Sequence, residues 1–246
     1  MIRKVARAIG VLSVLIIVGC ASWIAWTLYS FTPANQARNE TALLAAISLH
    51  PHDPTPHAEL GRLYGRRGHF EHDPAIQATM LKRSHDELEI ALKNTSDGIA
   101  RCWLLPSVAQ AAFEAGEKRR AESIARDMVK KSLPPVAHPW EDCNRGNSIH
   151  IGHMILGRVA LTRGDRKRAR AELLLSGQTP GSPNLNSFGP NMSLANDLLQ
   201  AGERECVLAY FEECRKFWNR HFSKLDNWSA DVKAGRMPEF GANLYY

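Results

Sequence analysis

Two histidines, His150 and His153, come nearest to a catalytic or metal-binding pattern in this chain. They lie three residues apart on a predicted helix, so both imidazoles project from one face, and Glu141, Asp142 and Cys143 lie just upstream. Imidazoles at that spacing are able to share a metal ion. The pattern therefore allows a metal-dependent hydrolytic enzyme that uses His150 and His153.

Other chemical signatures are weak. A second histidine cluster, His50, His52 and His57, lies in a proline-rich segment and is interpreted as a solvated lead-in to the first helix pair. The sequence contains no HExxH, paired CxxC, glycine-rich phosphate loop or GxSxG motif. We therefore expect no metal and no other cofactor, and we predict a protein that is not an enzyme.

The first thirty residues predict a membrane anchor. Arg3, Lys4 and Arg7 precede a run of uncharged, mainly apolar residues from 9 to 29. A helix of roughly 20 apolar residues spans the hydrocarbon core of a bilayer. No cation follows the run until Arg38, so the positive-inside rule keeps the N-terminus cytoplasmic and exports the remainder. We expect a single-pass membrane protein whose bulk is periplasmic or otherwise extracytoplasmic.

Two alternatives to an uncleaved anchor stay open. A cleaved signal peptide has a shorter apolar region, whereas this run carries Trp23, Trp26 and Tyr29 at its outer end, as an interfacial aromatic belt does. Residues 17–20 also resemble a bacterial lipobox, which would make Cys20 a lipidated N-terminus. The residues after Cys20 stay apolar, and this favours the anchor.

Composition bounds the remaining chain. The formal charge of +6 falls to +3 without the three N-terminal cations, because residues 1–30 contain no acid. A balance that small gives no case for nucleic acid. Four cysteines lie beyond the anchor, and Cys206 cannot pair with Cys214, since eight residues on one helix separate them by about 12 Å. Cys214 falls at an apolar helix position and is interpreted as a buried free thiol.

Four segments repeat one pattern. A large residue is followed directly by a small one, then by a further packing residue three positions later and by a glycine four positions after that. The four segments are Leu60-Gly61-x-x-Tyr64-x-x-x-Gly68, Val108-Ala109-x-x-Ala112-x-x-x-Gly116, Leu156-Gly157-x-x-Ala160-x-x-x-Gly164 and Leu194-Ala195-x-x-Leu198-x-x-x-Gly202. Each resembles the first helix of a tetratricopeptide repeat. The glycines are 48, 48 and 38 residues apart, where that family has a period of about 34, so insertions are expected.

Packing explains this spacing. The small second residue lets two helices approach closely, and the glycine ends the first helix in a left-handed conformation. In the first copy residues 69–74 interrupt the turn, so the second helix is predicted from about Ala75 to Lys93. The resemblance covers about residues 55–218 and implies paired antiparallel helices that stack into a superhelix.

Two segments are predicted to be non-helical connections, residues 133–147 and residues 177–190. Connections of that length are either functional or inter-repeat connectors. The block TPGSPNLNSFGPNMSLA, the later RKFW and the ending EFGANLYY resemble a group of bacterial, membrane-anchored proteins with tetratricopeptide-like helices. That resemblance implies no activity. It implies that the second loop and the tail from Met237 to Tyr246 are fixed parts of the domain.

The sequence as a whole predicts an all-α protein, a tetratricopeptide-like superhelix of antiparallel helix pairs behind one N-terminal transmembrane helix. The expected organisation is a cytoplasmic segment 1–8, an anchor 9–30, a linker and lead-in helix 31–54 and a helical-repeat domain 55–246. The predicted function is a membrane-tethered binding module or scaffold for a protein or peptide partner, with the hydrolase and an architectural subunit of an envelope complex as alternatives. The residues expected to contact the partner are His150, His153, Arg158, Asn184, Asn186, Phe188 and Asn191.

Overall fold

The computed structural model describes residues 33–132 and 144–245, and all regular secondary structure in these ranges is helical. The chain divides into two compact units, residues 1–51 and 52–246. Of the first unit the structure describes helix α1, Pro33–Leu49, inside the predicted lead-in segment. Within the described ranges, no helix combines the length and the apolar character that a membrane crossing needs. The predicted anchor, residues 9–30, lies outside these ranges.

The second unit contains ten α-helices and one 3-10 turn among its described residues. Their bounds are α2 Pro54–Phe70, α3 Pro74–Asn94, α4 Gly98–Glu114, α5 Lys118–Ser132, α6 Arg145–Thr162, α7 Arg166–Gly177, α8 Pro183–Phe188, α9 Ser193–Gln200, α10 Arg204–Arg215, α11 Lys224–Lys233 and the 3-10 turn Gly241–Leu244. Consecutive helices from α2 to α7 pack against each other, and α4 also packs on α6, α6 on α9 and α7 on α10.

The predicted turn glycines are confirmed in three of the four pairs. Gly116, Gly164 and Gly202 follow α4, α6 and α9 with φ of +84°, +80° and +87°, a region that other residues enter at a cost. The prediction for Gly68 is wrong, because α2 continues through it to Phe70. Gly68 instead packs against α3, where an added Cβ would lie 2.8 Å from a side-chain carbon of Leu81.

Helix α3 confirms the second helix predicted for the first pair. It was expected from about Ala75 to Lys93 and runs Pro74–Asn94. Its start is set by Asp73, whose carboxylate accepts hydrogen bonds from the backbone N–H groups of Ala75 and Ile76 at 2.8 and 3.2 Å. Pro74 then occupies the first helical turn, where its missing N–H costs nothing.

The small residues at the second repeat position lie where helices cross, as predicted. Ala109 and Ala195 are fully buried. A Cβ added to Gly61 would lie 2.7 Å from Leu88 Cγ, and one added to Gly157 would lie 2.3 Å from Leu194 Cδ2. A side chain at either glycine would force the facing leucine and the helix behind it to shift, so these crossings favour residues of minimal size.

The two predicted loops are shorter than expected. Residues 177–190 contain α8, and the first predicted loop ends earlier because α6 begins at Arg145, while residues 133–143 lie outside the described ranges. Ser182 caps α8 by accepting a hydrogen bond from the N–H of Leu185 at 3.0 Å, Pro183 follows it, and Gly189 ends the helix at φ +90°. Residues typical of turns here start and stop a short helix instead.

The C-terminal part forms the most aromatic region of the core. Buried rings from α10, α11 and the segments around them pack together, and we call this set the aromatic layer: Tyr210, Phe211, Phe217, Trp218, Trp228 and Phe240. Trp228 Nε1 donates to the carbonyl of Glu239 at 2.9 Å, which ties the tail to α11. The described part of the tail, through Tyr245, is therefore packed onto the domain.

The described cysteines are free thiols. Cys206 and Cys214 both lie on α10, as expected, and Cys214 is fully buried, which confirms its interpretation as a buried thiol. Burial raises the pKa of Cys206 to about 11 and raises that of Cys214 further. Neither thiol is therefore ionised at neutral pH.

Candidate functional site

An open groove of about 640 Å³ lies within the second unit between α2, α4, the start of α6 and the segment from α8 to residue 191. Its volume is within the range of about 300–1,000 Å³ that is usual for ligand sites. The lining includes Arg62, Arg66, His69, Trp103, Ser107, Gln110, Glu114, Asn144, Asn147, Asn184, Phe188, Asn191 and Tyr245. We refer to this feature as the groove.

A chain of amide hydrogen bonds holds one wall of the groove together. Pro106 lies inside α4 and has no N–H, so the carbonyl of Cys102 lacks its usual helical donor. Asn144 Nδ2 donates to that carbonyl at 2.8 Å. Asn147 Nδ2 donates to Asn144 Oδ1 at 2.7 Å, and the Ser182 hydroxyl donates to Asn147 Oδ1 at 2.8 Å. The ladder fixes α4, α6 and the start of α8 in one arrangement.

His150 belongs to the wall behind the groove surface, because its side chain is fully buried although it borders the cavity. Its Nδ1 lies 3.1 Å from the carbonyl of Ser176, and its Nε2 accepts the backbone N–H of Asn191 at 3.0 Å. These partners require the neutral tautomer that carries its proton on Nδ1. Burial lowers the pKa of His150 to about 4, against the opposing effect of the Ser176 carbonyl.

His153 and Arg158 lie away from the groove. His153 Nδ1 is 2.7 Å from Glu172 Oε2 on α7, and His153 is not among the residues that line the groove. Arg158 Nε donates to Asp197 Oδ2 at 2.8 Å, and its guanidinium covers the ring of Phe113 at 4.4 Å. His153 therefore links α6 to α7, and Arg158 links α6 to α9 and to α4.

Of the other four residues predicted to contact the partner, three line the groove. Asn184, Phe188 and Asn191 line the groove, and Asn186 does not. The Phe188 side chain is 61% exposed, while Asn191 is buried. Asn191 Oδ1 accepts the N–H of Ser193 at 2.8 Å, so the amide nitrogen points away from Ser193. This nitrogen, Nδ2, has no acceptor among the described residues. Four of the seven predicted residues therefore border one cavity, and they are His150, Asn184, Phe188 and Asn191.

The sequence prediction missed the side of the groove formed by α2 and α4. His69 Nε2 lies 3.0 Å from Glu114 Oε2, although the two atoms are not aligned for a hydrogen bond. Gln110 Nε2 donates to Glu114 Oε1 at 3.1 Å, and the ring of Tyr245 stacks on His69 with centroids 4.9 Å apart. The available signal was the repeat register, which places the first helices of successive pairs side by side.

Two further groove residues carry donors that the fold does not use. Arg66 is an exposed residue of α2, and no carboxylate among the described residues lies within ion-pairing distance of its guanidinium, although Glu59 attracts it at longer range. The Trp103 indole, which is 45% exposed, donates no hydrogen bond within the described ranges. The site therefore combines a cation, hydrogen-bond donors and exposed aromatic surface.

A three-ligand metal site is not found in the described residues: no group of three or more histidine, cysteine, aspartate or glutamate side chains is placed to hold an ion. Glu141, Asp142 and Cys143 lie outside these ranges. The chain as a whole matches no protein-family model, no curated protein and no solved structure.

Proposed function

We propose that this chain is a membrane-tethered helical binding module that holds a protein or peptide partner in the groove on the exported side of the membrane. The observation that carries the proposal is the groove itself, whose lining holds donors without described acceptors and partly exposed aromatic rings. A buried donor without an acceptor, such as the amide nitrogen of Asn191, costs stability, so a partner that supplies the acceptor gains affinity. The apolar run that follows Arg3, Lys4 and Arg7 supports the tether.

The hydrolase alternative receives less support from the geometry. Both ring nitrogens of His150 are occupied by backbone groups, and His153 pairs with Glu172 outside the groove. A shared metal would need at least one His150 nitrogen to exchange its present partner. The binding proposal requires no such rearrangement.

The groove proposal is tested with the full-length chain in detergent micelles on an array of random, capped peptides. Ser107 lines the groove, and Ser107→Trp places a large side chain in it. Ser123→Trp adds the same side chain at an exposed position on α5. Wild type and Ser123→Trp should retain a common set of peptides that Ser107→Trp loses. Equal retention by all three proteins would contradict the proposal, and an architectural subunit would retain no peptide set.

The tether is tested by protease digestion of spheroplasts. External protease should remove residues beyond about 35 and leave a small membrane-bound N-terminal fragment, because the positive-inside rule exports the chain after the anchor. Protection of the whole chain in sealed spheroplasts would contradict the exported topology.

A further inference from the structure

We propose that the groove selects an acidic peptide segment, whose carboxylate side chains pair with Arg66 and Arg62 while a neighbouring apolar side chain packs against Trp103. This inference rests on the proposed binding function and adds the chemical class of the partner.

Three side chains of the groove carry donors without a described acceptor, Arg66, Trp103 and Asn191. The Arg66 guanidinium has no ion-pair partner, and the Trp103 indole has no acceptor, within the described residues. Asn191 is only 2% exposed, borders the cavity and leaves its amide nitrogen without an acceptor in the described ranges. A buried donor without an acceptor is rare in folded proteins and marks a place where a ligand atom completes the bonding. The complementary ligand is therefore rich in acceptors.

The carboxylate of Glu114 and the amide oxygens of Asn144 and Asn147, which are acceptors of the groove, are already in use. The carboxylate of Glu114 lies next to His69 and receives a hydrogen bond from Gln110. The side-chain oxygens of Asn144 and Asn147 both receive hydrogen bonds in the amide ladder. A cationic ligand would have to displace these bonds, whereas an anionic ligand finds donors that are free.

The charges on α2 favour acidic side chains over a single terminal carboxylate. Arg62 and Arg66 are four residues apart, and so they lie one turn apart on the face of α2 that borders the groove. Arg62 is paired with Glu59 at 2.7 Å, but that pair is exposed and exchanges readily with another carboxylate. Two guanidinium groups at this spacing fit a segment that carries more than one acidic residue.

The apolar part of the site comes from partly exposed aromatic rings. Trp103, Phe188 and Tyr245 border the groove and are 45%, 61% and 37% exposed. Aromatic and arginine side chains supply most of the binding energy in peptide and protein interfaces. An acidic segment with an adjacent apolar residue would therefore engage both kinds of surface.

The experiment uses the full-length chain in detergent micelles and the capped peptides that wild type retains. Each acidic peptide is compared with a matched peptide in which Glu becomes Gln and Asp becomes Asn. Three proteins are measured by fluorescence anisotropy at low and high salt: wild type, Arg66→Gln and the control Arg119→Gln. Arg119 is an exposed arginine on α5 that does not border the groove, so its replacement makes the same change in charge.

Charge-assisted pairing predicts that the amide peptides bind at least about tenfold more weakly than the acidic ones. Arg66→Gln should lose about the same factor, Arg119→Gln should lose less than about twofold, and added salt should reduce the difference. The melting temperature of Arg66→Gln should stay close to that of wild type, because Arg66 is exposed and its attraction to Glu59 acts across solvent. These results together would support the inference.

Two outcomes would overturn it. If acidic and amide peptides bind equally, or if Arg66→Gln and Arg119→Gln weaken binding to the same extent, the groove does not select acidic segments, although the binding function stands. If wild type retains no peptide that Ser107→Trp loses, both this inference and the proposed function fail.

Discussion

The aromatic layer and the groove lie in the same helical unit but use their polar groups in opposite ways. Asn243, next to the aromatic layer, is fully buried, and its Nδ2 donates to the carbonyls of Phe188 and Pro190 at 3.1 and 3.0 Å. The backbone carbonyl of Asn243 accepts the N–H of Met192 at 2.7 Å. In the groove, Arg66 and the amide nitrogen of Asn191 have no such partners among the described residues.

The difference separates residues that stabilise the fold from residues available for binding. A satisfied buried amide contributes stability and costs free energy when it is removed, whereas an unsatisfied donor contributes little until a ligand supplies its acceptor. Substitutions near the aromatic layer and in helix crossings should therefore change unfolding, and substitutions in the groove should change binding.

The largest loss of stability is expected for Gly157→Leu. The first added carbon would already lie 2.3 Å from Leu194 Cδ2 and 3.2 Å from Glu172 Cβ. Overpacking of this kind costs roughly 1–3 kcal/mol or more. Urea unfolding measures the loss, and Gly98→Leu is the control, because a Cβ at Gly98 meets nothing within 4 Å. Equal stability of the two variants would mean that the helix crossing is wrongly placed.

Acid should destabilise the domain through His150. Its pKa is lowered to about 4 in the folded protein, so between about pH 6.5 and 4 the unfolded chain binds a proton that the folded chain does not. The contribution is present above about pH 6.5 and is lost as the pH falls towards 4, by up to about 3 kcal/mol. Urea unfolding at both ends of this window should show a smaller pH dependence for His150→Gln than for wild type. Parallel pH profiles would contradict the buried neutral imidazole.

Asn243→Ala should have an intermediate effect. It leaves the carbonyls of Phe188 and Pro190 without their described donor, and each lost buried hydrogen bond costs on the order of 1 kcal/mol or more. We expect a loss of about 2 kcal/mol and faster proteolysis of the tail. Asn219→Ala removes an exposed asparagine and should change neither. A tail that stays protease-resistant in Asn243→Ala would show that other contacts hold it.

Phe188→Ala should change stability least and binding most. Its exposed ring leaves no cavity when it is truncated, so the free energy of unfolding should shift by less than about 0.5 kcal/mol. Loss of an aromatic contact at an interface often costs about 2 kcal/mol, so peptides retained by wild type should bind more weakly. Phe222→Ala is the matched control, because Phe222 is 82% exposed and does not border the groove. Equal binding by both variants would remove Phe188 from the site.

Local rules made much of the helical framework predictable. The turn glycines Gly116, Gly164 and Gly202 and the extent of α3 depend on neighbours in sequence and are correctly predicted, while the small residues at the crossings follow from the repeat register. Helix α8 was missed because serine, proline and glycine serve equally as turn formers and as helix boundaries. Three or four residues around Ser182 do not distinguish these uses.

The groove was only half predictable, for a different reason. The contact of His69 with Glu114, the orientation of His153 towards Glu172 and the position of Tyr245 depend on how each helix is rotated about its axis. That rotation is set by packing between helices that are distant in sequence. A repeat register gives the order of the helices, but it does not give the partner of an individual polar side chain.

The contact between Tyr245 and His69 also bears on how the helical unit unfolds. Stacked helix pairs normally touch only their neighbours, so such arrays fray from their ends in stages. Here the ring of Tyr245 stacks on His69 near the end of α2, and Gln110 Nε2 donates to the carbonyl of Tyr245 at 3.4 Å. The last described residue thus joins the first helix pair of the unit, and fraying at either end breaks contacts at the other. The unit should therefore melt as one cooperative transition.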